Sequence, residues 1–401
     1  MNAQTKKPER RRPLPLLLLV IGVLLFLCWL PPLPKLKAQS SYSYKSHPKP
    51  VSLSWPAYGQ SAVGAESYGL LDSEGSQVPA PMASVTKVVT AMAVLQKKPL
   101  TPGDQGPTIT IGPEDVASYN DYSAKGGSVV PVTEGEQISE YQALQALLLP
   151  SANNMADTLA RWAFGSVNNF TAYANVYLKG LALKESKVAD ASGFSPQSVS
   201  SAEDLTNLGL VFMRDPVLSG IVSQQSADIP VAGTVKNINW LLGTDGIVGI
   251  KTGNTEQAGG VYLFAANRNI EGQNILVVGA IMGAPDLNSA IGDSRPLLAS
   301  VDTGFTKVTV AKKNEILGIY IAPWGNVVNL LSKNDVSIVT WATRQVSSVI
   351  KIDTDKTSVT KGQPVGTISA VVWGNKNTDD IIAADNVPPP SFGWRLYKRH
   401  V

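Results

Sequence analysis

The chain of 401 residues is 44% hydrophobic and 16% charged, so it is long enough for one substantial domain plus a smaller one and too apolar to be disordered. Its formal charge of +3 is concentrated at the start, because residues 1–12 carry five cations against one carboxylate and the other residues sum to −1. This distribution excludes a surface for nucleic acid.

The scarce residue types exclude several kinds of catalytic site. Cys28, the only cysteine, lies in an apolar run, and the two histidines, His47 and His400, flank the predicted globular part. A Ser-His-Asp triad, a Cys-His pair and a zinc site built on His or Cys are therefore excluded. Carboxylates alone can bind a metal, but they form no ligand cluster here, so the sequence predicts no metal and no other cofactor.

The N-terminus predicts a membrane anchor. Basic residues 1–12 precede a proline-bounded apolar run over 13–34, and positive charge before such a run is typical of a segment whose N-terminus stays cytoplasmic. We expect residues 1–37 to be a single-pass signal anchor that leaves the rest of the chain outside the cell membrane. Cleavage of a signal peptide, giving a secreted protein, is the alternative. Residues 38–58, rich in Ser, Tyr, Lys and Pro, predict a tether.

Beyond the tether, the hydrophobic pattern alternates between strand and helix periods. A hairpin is predicted over 63–75 with its turn at Asp72–Gly75, and a helix over 84–95 is apolar on almost every side. Short strands are expected between residues 108 and 132. The other predicted elements are two helices around a break at 150–154, helices over 168–179 and 202–213 (the latter capped by Ser200 or Ser201), and three strands from Gly246 onward. Strands on both sides of a helical block predict an α+β domain whose sheet uses both ends of the segment.

Lys87 does not fit the apolar surroundings of its predicted helix. Positions i and i+3 share a helix face, so the amine of Lys87 is expected beside the hydroxyl of Ser84. Burial lowers a lysine pKa, and a neutral lysine can take the proton of a serine that is otherwise a poor nucleophile. The pair therefore predicts a nucleophile with its base.

Two further motifs follow in an order that supports this interpretation. Ser-x-x-Lys is common by chance, and Ser46 with Lys49 is another instance. However, Ser151-Ala152-Asn153 falls in the break between two helices, and Lys251-Thr252-Gly253 opens a predicted strand. This set of three motifs is found in β-lactamases and penicillin-binding proteins.

The chain resembles the low-molecular-mass penicillin-binding proteins of the serine D-alanyl-D-alanine carboxypeptidase type. The resemblance covers roughly residues 60–375 and includes PMASVTKVVTAM, VTEGEQIS, SGFSPQSVSSAEDL and TDGIVGIKTGNTEQAGG. It implies a β-lactamase/transpeptidase-like catalytic domain over 59–305, with an antiparallel sheet and a helical block. A small C-terminal β domain over 306–375 and a tail over 376–401 are expected to follow.

The resemblance also implies a role for each residue of the first two motifs. Ser84 is the acylated nucleophile and Lys87 its base, while Ser151 relays protons and Asn153 holds the substrate amide. Taken singly, these residues have structural interpretations too: Ser151 is compatible with a helix cap, and Lys87 with a lysine whose stem covers apolar surface.

The third motif is expected to bind the end of the substrate. The resemblance implies that Lys251 and Thr252 meet the terminal carboxylate of the substrate, on a strand that Gly253 continues. The backbone N–H groups of Ser84 and Asn254 are expected to form the oxyanion hole.

Four positions depart from the family pattern. Asn154 and Gly249 stand where many members have Asp, and Asn254 stands where they have His or Tyr. A late basic residue that often assists the carboxylate has no clear counterpart, since the segment offers Arg295 only. These departures leave the rate and the substrate preference open.

The resemblance implies a carboxypeptidase that removes the terminal D-alanine from peptidoglycan stem peptides and is inhibited by β-lactams. A class A-like β-lactamase is an alternative; it needs a Glu that activates the deacylating water, and Glu203 comes closest. A D,D-endopeptidase and a non-catalytic wall-binding protein are the remaining alternatives.

Overall fold

The computed structural model describes residues 14–29 and 33–397. The basic residues predicted to lie in the cytoplasm, and the last four residues with His400, are outside this range. The helices are α1 Leu14–Trp29, α2 Thr86–Lys97, α3 Pro113–Ala124, α4 Glu140–Leu148, α5 Asn153–Phe164, α6 Val167–Gly180, α7 Ala202–Phe212, α8 Pro216–Val222, α9 Leu287–Gly304 and α10 Phe392–Tyr397.

Nineteen strands are assigned in the described residues. They are β1 Lys37–Gln39, β2 Gln60–Ala65, β3 Gly69–Glu74, β4 Ala80–Pro81, β5 Thr108–Thr110, β6 Gln137–Ser139, β7 Val199–Ser200, β8 Ser226–Ile229, β9 Gly233–Lys236, β10 Ile247–Thr255, β11 Gly259–Ile270, β12 Gln273–Ala284, β13 Phe305–Ala311, β14 Ile316–Ile321, β15 Val327–Ser332, β16 Val336–Trp341, β17 Ser347–Ile352, β18 Pro364–Val372 and β19 Asn375–Ala383.

The chain divides into two compact units. The larger one comprises residues 49–306 and 341–343, and the smaller one comprises the described residues of the ranges 1–48, 307–340 and 344–401. The larger unit contains a five-stranded antiparallel sheet in the order β10-β11-β12-β2-β3, so that β10 is an edge strand. Its strands come from both ends of the segment and enclose the helices in sequence, which confirms the predicted α+β class.

The helix that carries Lys87 is buried on nearly all sides, as its composition predicts. A 3-10 turn over Ala83–Val85 leads into α2, and every residue from Thr86 to Leu95 is buried. Burial on all faces is what a helix without a polar stripe requires. The helix therefore carries its one internal lysine into the core of the unit.

Most other predicted helices are confirmed. Helices α4 and α5 flank the predicted break, α6 follows at 167–180, and α7 begins after Ser201, whose hydroxyl accepts a hydrogen bond from Asp204 N. Of the two cap residues considered, Ser201 is therefore the cap, because its oxygen satisfies a free N–H of the first turn.

The turn of the first hairpin lies earlier than predicted. Strands β2 and β3 are joined at Glu66–Tyr68, and the expected turn residues Asp72–Glu74 belong to β3. Ser67 and Gly69 both have a positive φ, and Tyr68 N donates to Ala65 O, which closes the turn there. The DSEG composition was misleading, since acidic and small residues also occur at the exposed end of a strand.

Four helices, α3, α8, α9 and the short α10, were not predicted from the sequence. Helix α3 is mostly exposed and buries only Asp115, so it lacks the apolar period that signals a helix. Helix α8 spans seven residues, and α9 contains Pro296 in its interior, which predicts a helix end. Helix α9 nevertheless packs along β11 and β12 through its buried residues.

The smaller unit is built on a six-stranded sheet in the order β1-β14-β15-β19-β18-β17. Two expectations are corrected here. Residue 37, the last of the predicted anchor, and residues 38 and 39, the first of the predicted tether, form the edge strand β1, since Ala38 pairs with Tyr320 and the preceding Leu36 is buried. The sheet also continues through β19 to Ala383, beyond the predicted end at 375.

The predicted anchor coincides with α1. In the part of the chain that the structure describes, no single helix is both long and apolar enough to cross a membrane. The apolar stretch over Pro15–Phe26 is shorter than that, and α7 with α8 reach the required length only as a pair bent by 110°.

Candidate active site

Ser84 lies on a tight turn at the entrance to α2. The preceding Ala83 has a φ of +47°, a conformation that costs free energy for a residue with a Cβ. Gly193 packs against this turn so closely that a Cβ on it would lie 1.8 Å from Ala83 O. The turn is therefore fixed from outside, and it leaves Ser84 partly exposed while Lys87 is completely buried.

The amine of Lys87 makes three contacts. Its Nζ lies 2.8 Å from Ser84 Oγ, 2.7 Å from Asn153 Oδ1 and 2.9 Å from the Ser192 carbonyl oxygen. A neutral amine has two N–H groups and one lone pair. The amide and carbonyl oxygens can only accept, so they take the two N–H groups, and the lone pair is left for the hydroxyl proton of Ser84.

Both buried lysines of the site have lowered pKa values. Burial, and then the charge of Lys251, hold the pKa of Lys87 well below its ordinary value, and Asp190 and Asp157 oppose this shift only in part. Burial alone lowers the pKa of Lys251 to about 7. These shifts favour the uncharged form of Lys87, and near pH 7 they divide Lys251 between its two forms.

The second motif occupies the break between α4 and α5, as predicted. Ser151 has a φ of +66°, and its hydroxyl is buried without a hydrogen-bond partner among the described residues. Asn153 N donates to Ser128 O, which orients the amide toward Lys87. The structure therefore brings Asn153 into contact with the base, whereas Ser151 makes no such contact in this state.

The third motif lies on the edge strand β10. Lys251 and Thr252 are buried, Lys251 Nζ donates to Thr252 O at 3.0 Å, and Asn254 is exposed. A Cβ on Gly253 would lie only 3.0 Å from Ser84 N and from Ala83 Cβ. Glycine thus allows β10 to approach the backbone N–H of the nucleophile, where an oxyanion hole requires its donors.

Sequence reasoning missed the role of Asp190. Its carboxylate accepts hydrogen bonds from the N–H groups of Gly193, Phe194 and Ser195 and from the hydroxyls of Ser192 and Ser198. These bonds fix the segment whose Ser192 carbonyl meets Lys87. The only signal in the sequence was the SGFSPQS run, which contributed to the resemblance but not to any assigned role.

Two departures from the family pattern have local explanations. Asn154 is buried and bonds to both the N–H and the C=O of Val130, so its amide holds the loop beside the site. A Cβ on Gly249 would lie 2.8 Å from a methyl group of Val222, so a larger residue does not fit there. Arg295 pairs with Asp245 at 2.6 Å, ahead of the start of β10.

Glu203, the candidate for activating a deacylating water, is elsewhere in the unit. Its carboxylate accepts a hydrogen bond from Ser73 on β3, at 2.6 Å. Strand β3 is at the opposite edge of the sheet from β10, four strand spacings or roughly 19 Å away.

No group of three or more His, Cys, Asp or Glu side chains that could hold a metal ion occurs among the described residues.

The sequence comparison agrees with this site, in which a buried lysine, a serine on a fixed turn and an edge strand with a second lysine come together. Residues 59–285 match the model of the D-alanyl-D-alanine carboxypeptidase family. The chain belongs to this family. Because the matched segment contains all three motifs, the D-alanyl-D-alanine carboxypeptidase pattern covers the whole candidate site.

Named relatives are similar over more than half of the chain. D-alanyl-D-alanine carboxypeptidase DacA of Escherichia coli (strain K12) is 29% identical over 252 residues, which is 60% of this chain and 61% of DacA. A D-alanyl-D-alanine endopeptidase of Pseudomonas aeruginosa is 30% identical over 236 residues, 56% of this chain and 72% of that protein. The similarity to DacA thus spans about three fifths of its length.

Solved structures share this fold over different parts of the chain length. Penicillin binding protein 5 from Haemophilus influenzae superposes with a TM-score of 0.57 at 21% identity, covering 86% of this chain and all of that one. A DD-transpeptidase from Streptomyces K15 has a TM-score of 0.53 at 23% identity, covering 60% of this chain and 95% of that one. At these identities the likeness concerns the fold, which is transpeptidase-like as predicted.

Proposed function

We propose that the chain is a serine D-alanyl-D-alanine carboxypeptidase that removes the terminal D-alanine from peptidoglycan stem peptides. The observation that carries this proposal is the contact between the completely buried amine of Lys87 and Ser84 Oγ, at 2.8 Å. An amine kept neutral by its surroundings and in contact with a hydroxyl is the pairing that acyl transfer without a histidine requires.

Acylation transfers one proton and exchanges one bond. Lys87 takes the proton of Ser84 as Oγ forms a bond to the carbonyl carbon of the penultimate D-alanine. The carbonyl oxygen becomes negative and is stabilised by the backbone N–H groups of Ser84 and Asn254. The C–N bond then breaks, and the leaving amine receives the proton, with the Ser151 hydroxyl as the relay. Its unpaired state makes that hydroxyl free to bond a substrate amine.

Deacylation repeats these roles with water. A water molecule attacks the ester carbonyl, Lys87 accepts its proton, and the C–Oγ bond breaks as Ser84 regains its hydrogen. The shortened peptide leaves with a new carboxylate. A β-lactam enters the same first step through its strained amide, and we expect it to remain on Ser84 because the ring-opened product keeps its leaving group attached.

The edge strand provides the specificity for a free C-terminus. Lys251 and Thr252 offer a cation and a hydroxyl to the terminal carboxylate, and Gly253 lets the strand lie against the nucleophile turn. A carboxylate bound beside Lys251 favours the charged form of that amine, which otherwise has a pKa of about 7.

The position of Glu203 makes a class A-like β-lactamase the weaker alternative, since its carboxylate bonds to Ser73 on β3. A non-catalytic wall-binding protein is disfavoured, because such a protein has no use for a buried lysine that costs folding free energy. D,D-endopeptidase activity on cross-linked stem peptides uses the same acylation and remains a variant of the proposal; one similar protein bears that name.

The proposal is tested by two reactions on the purified chain and on Ser84→Ala. The first is labelling with a fluorescent penicillin, and the second is release of D-alanine from diacetyl-L-Lys-D-Ala-D-Ala. Lasting label and released D-alanine, both abolished in Ser84→Ala, are expected. Rapid turnover of the label without D-alanine release would instead indicate a β-lactamase, and the absence of both reactions would indicate a binding protein. Mass spectrometry of the labelled peptide identifies the acylated residue.

We also propose that the N-terminal segment, predicted as residues 1–37 and shortened here to 1–35, anchors the protein in the cell membrane, with the larger unit on the extracytoplasmic side. The support is the basic start followed by the apolar helix α1. A deletion should end before Leu36, because this residue is buried and its N–H donates to Lys356 O. Full-length protein is expected in the membrane fraction and the shortened chain in the soluble fraction, with equal penicillin labelling. A shortened chain that stays with the membrane would contradict the anchor.

A further inference from the structure

Residues 36–46, called the strap below, cross the smaller unit and are fixed at both ends. The strap begins with β1, which pairs with β14, and Ser40 Oγ then donates to Leu317 O at 2.5 Å. Toward its other end, Ser348 N on β17 donates to Tyr44 O. The middle of the strap is therefore held in place, although its composition is that of a flexible tether.

A cavity of about 880 Å³ lies between the middle of the strap and β14. Residues 38–43 of the strap and residues 316–319 of the strand line it, and its volume is that of a small-molecule site. None of the described residues that line this cavity is charged. Three serines, a tyrosine and a glutamine supply neutral polar groups, and the exposed side chain of Ile316 supplies an apolar surface.

A second cavity, of about 490 Å³, also borders Tyr42. Its other lining residues are Tyr44 of the strap and residues 309–315, which include two exposed lysines and Glu315. Because Tyr42 borders both cavities, they follow one another along the strap. We call the two together the strap groove, and its elongated form suits a linear ligand better than a compact one.

The ring of Tyr42 is ordered before any ligand arrives. Its hydroxyl donates to Val310 O at 2.5 Å, and Glu315 Oε1 lies 3.2 Å from the same oxygen. Burial, and then the charge of Glu315, raise the pKa of Tyr42 to about 12, so the hydroxyl stays uncharged. On either side of this half-buried ring, Ser41 and Ser43 are exposed. A ligand in the groove thus meets a fixed ring and accessible hydroxyls without a cost for ordering them.

We propose that the strap groove binds the glycan strand of peptidoglycan, the polysaccharide that carries the stem peptides. This rests on the proposed carboxypeptidase function, which supplies the polymer. A pyranose ring has an apolar face of C–H groups and a polar rim of hydroxyl and amide groups. Tyr42 and Ile316 match the apolar face, and the serine hydroxyls with Gln39 match the rim. The uncharged lining of the larger cavity disfavours a phosphate or carboxylate ligand, because such groups are bound by cations.

The groove gives the chain a preference for polymeric substrate. Both units belong to one chain, so a glycan held by the smaller unit raises the effective concentration of its own stem peptides. We expect kcat/KM for stem peptides on a soluble peptidoglycan fragment of several disaccharides to exceed that for diacetyl-L-Lys-D-Ala-D-Ala by about tenfold or more.

The first test measures binding of tetra-N-acetylchitotetraose to the full-length chain in detergent by calorimetry. Wild type and Ser84→Ala should bind it equally, because the sugar does not meet the nucleophile. Tyr42→Ala and Ser41→Trp should each weaken binding at least tenfold, the first by removing the ring and the second by filling the groove. Ser41 is exposed and its side chain makes no hydrogen bond among the described residues, so this second variant keeps the contacts that hold the strap. Val349→Ala, at an exposed position of β17, is the control and should bind as wild type does.

The second test separates recognition of the polymer from a structural role. Ser41→Trp should release D-alanine from diacetyl-L-Lys-D-Ala-D-Ala at the wild-type rate and lose about tenfold in kcat/KM on the peptidoglycan fragment only. Equal losses on both substrates, or unchanged sugar affinity in both groove variants, would overturn the glycan site. Binding of glycerol 3-phosphate in place of the sugar would also overturn it and assign the groove to an anion.

The two proposals fail in different ways. A wild type that releases D-alanine but does not bind the sugar rejects the glycan site and leaves the carboxypeptidase function standing. A wild type that binds the sugar through Tyr42 and releases D-alanine from neither substrate supports the glycan site and rejects the carboxypeptidase function.

Discussion

Lys87 and Lys251 are both buried, and the charge of Lys251 disfavours a charge on Lys87. The charge of Lys251 is the second cause, after burial, of the lowered pKa of Lys87. The two residues are 164 positions apart in sequence, one on α2 and one on β10. Because only one of two such amines is readily charged, the pair suits the two roles proposed above, Lys87 as the base and Lys251 as the ligand of the carboxylate.

The first prediction concerns the pH dependence of kcat/KM. Activity should fall as pH decreases through the lowered pKa of Lys87, because a protonated amine cannot take the Ser84 proton. It should also fall as pH rises above about 7, where free Lys251 loses its charge. In Lys251→Arg the guanidinium stays charged, so the basic limb should disappear. A basic limb that persists in this variant would assign it to another group.

Gly253→Ala should slow acylation without unfolding the protein. The new Cβ would lie 3.0 Å from Ser84 N, so β10 must move away from the nucleophile turn. A displacement of this kind is expected to reduce the rate of fluorescent-penicillin labelling about tenfold or more. The matched control is Gly220→Ala, since nothing lies within 4 Å of a Cβ at that helical position. Equal labelling rates in the two variants would argue against close packing of β10.

Asp190→Asn should reduce both activity and stability. Both carboxylate oxygens accept hydrogen bonds from N–H donors, and an amide offers only one oxygen, so at least one donor is left facing an NH₂ group. We expect labelling to slow about 10- to 100-fold as the Ser192 carbonyl moves, and the Tm to fall by about 2–8 °C. Asp228→Asn, at an exposed position with one hydroxyl partner, is the control and should change neither quantity.

The buried carboxyl group of Glu140 should make the stability of the protein depend on pH. It is completely buried, neither carboxylate oxygen has a hydrogen-bond partner among the described residues, and burial raises its pKa from 4.5 to about 7. Between these values the folded state holds a proton that the unfolded state has released. The free energy of unfolding therefore decreases as pH rises from 4.5 to 7 and stays reduced above 7.

Glu140→Gln removes the ionisation and should raise the Tm at pH 8 by about 2–8 °C, with little change at pH 5. Thermal unfolding followed by circular dichroism at the two pH values measures this difference. Glu134→Gln, at an exposed position ahead of β6, is the control. An equal gain for Glu140→Gln at both pH values would show that the side chain remains neutral throughout.

Local pattern was enough to predict several elements of the larger unit. Residues within each segment were enough to predict the apolar helix around Lys87, the break at Ser151 and the strands β10, β11 and β12. The exposed α3 and the proline-containing α9 were missed because neither shows an unbroken apolar period. The edge strand β1 was taken for a tether because three polar and small residues carry almost no strand signal before a partner is present.

The sequence by itself indicated that Lys87 lies beside Ser84, since residues i and i+3 of a helical turn are neighbours. Only the tertiary structure decided which acceptors surround the amine: Asn153 lies 66 residues away and Ser192 lies 105 away. It also decided that Asp190 holds that carbonyl and that Gly253 touches the nucleophile turn. Such contacts depend on which helices and strands pack together. That packing is decided by side chains far apart in sequence, so the hydrophobic pattern of one segment does not predict it.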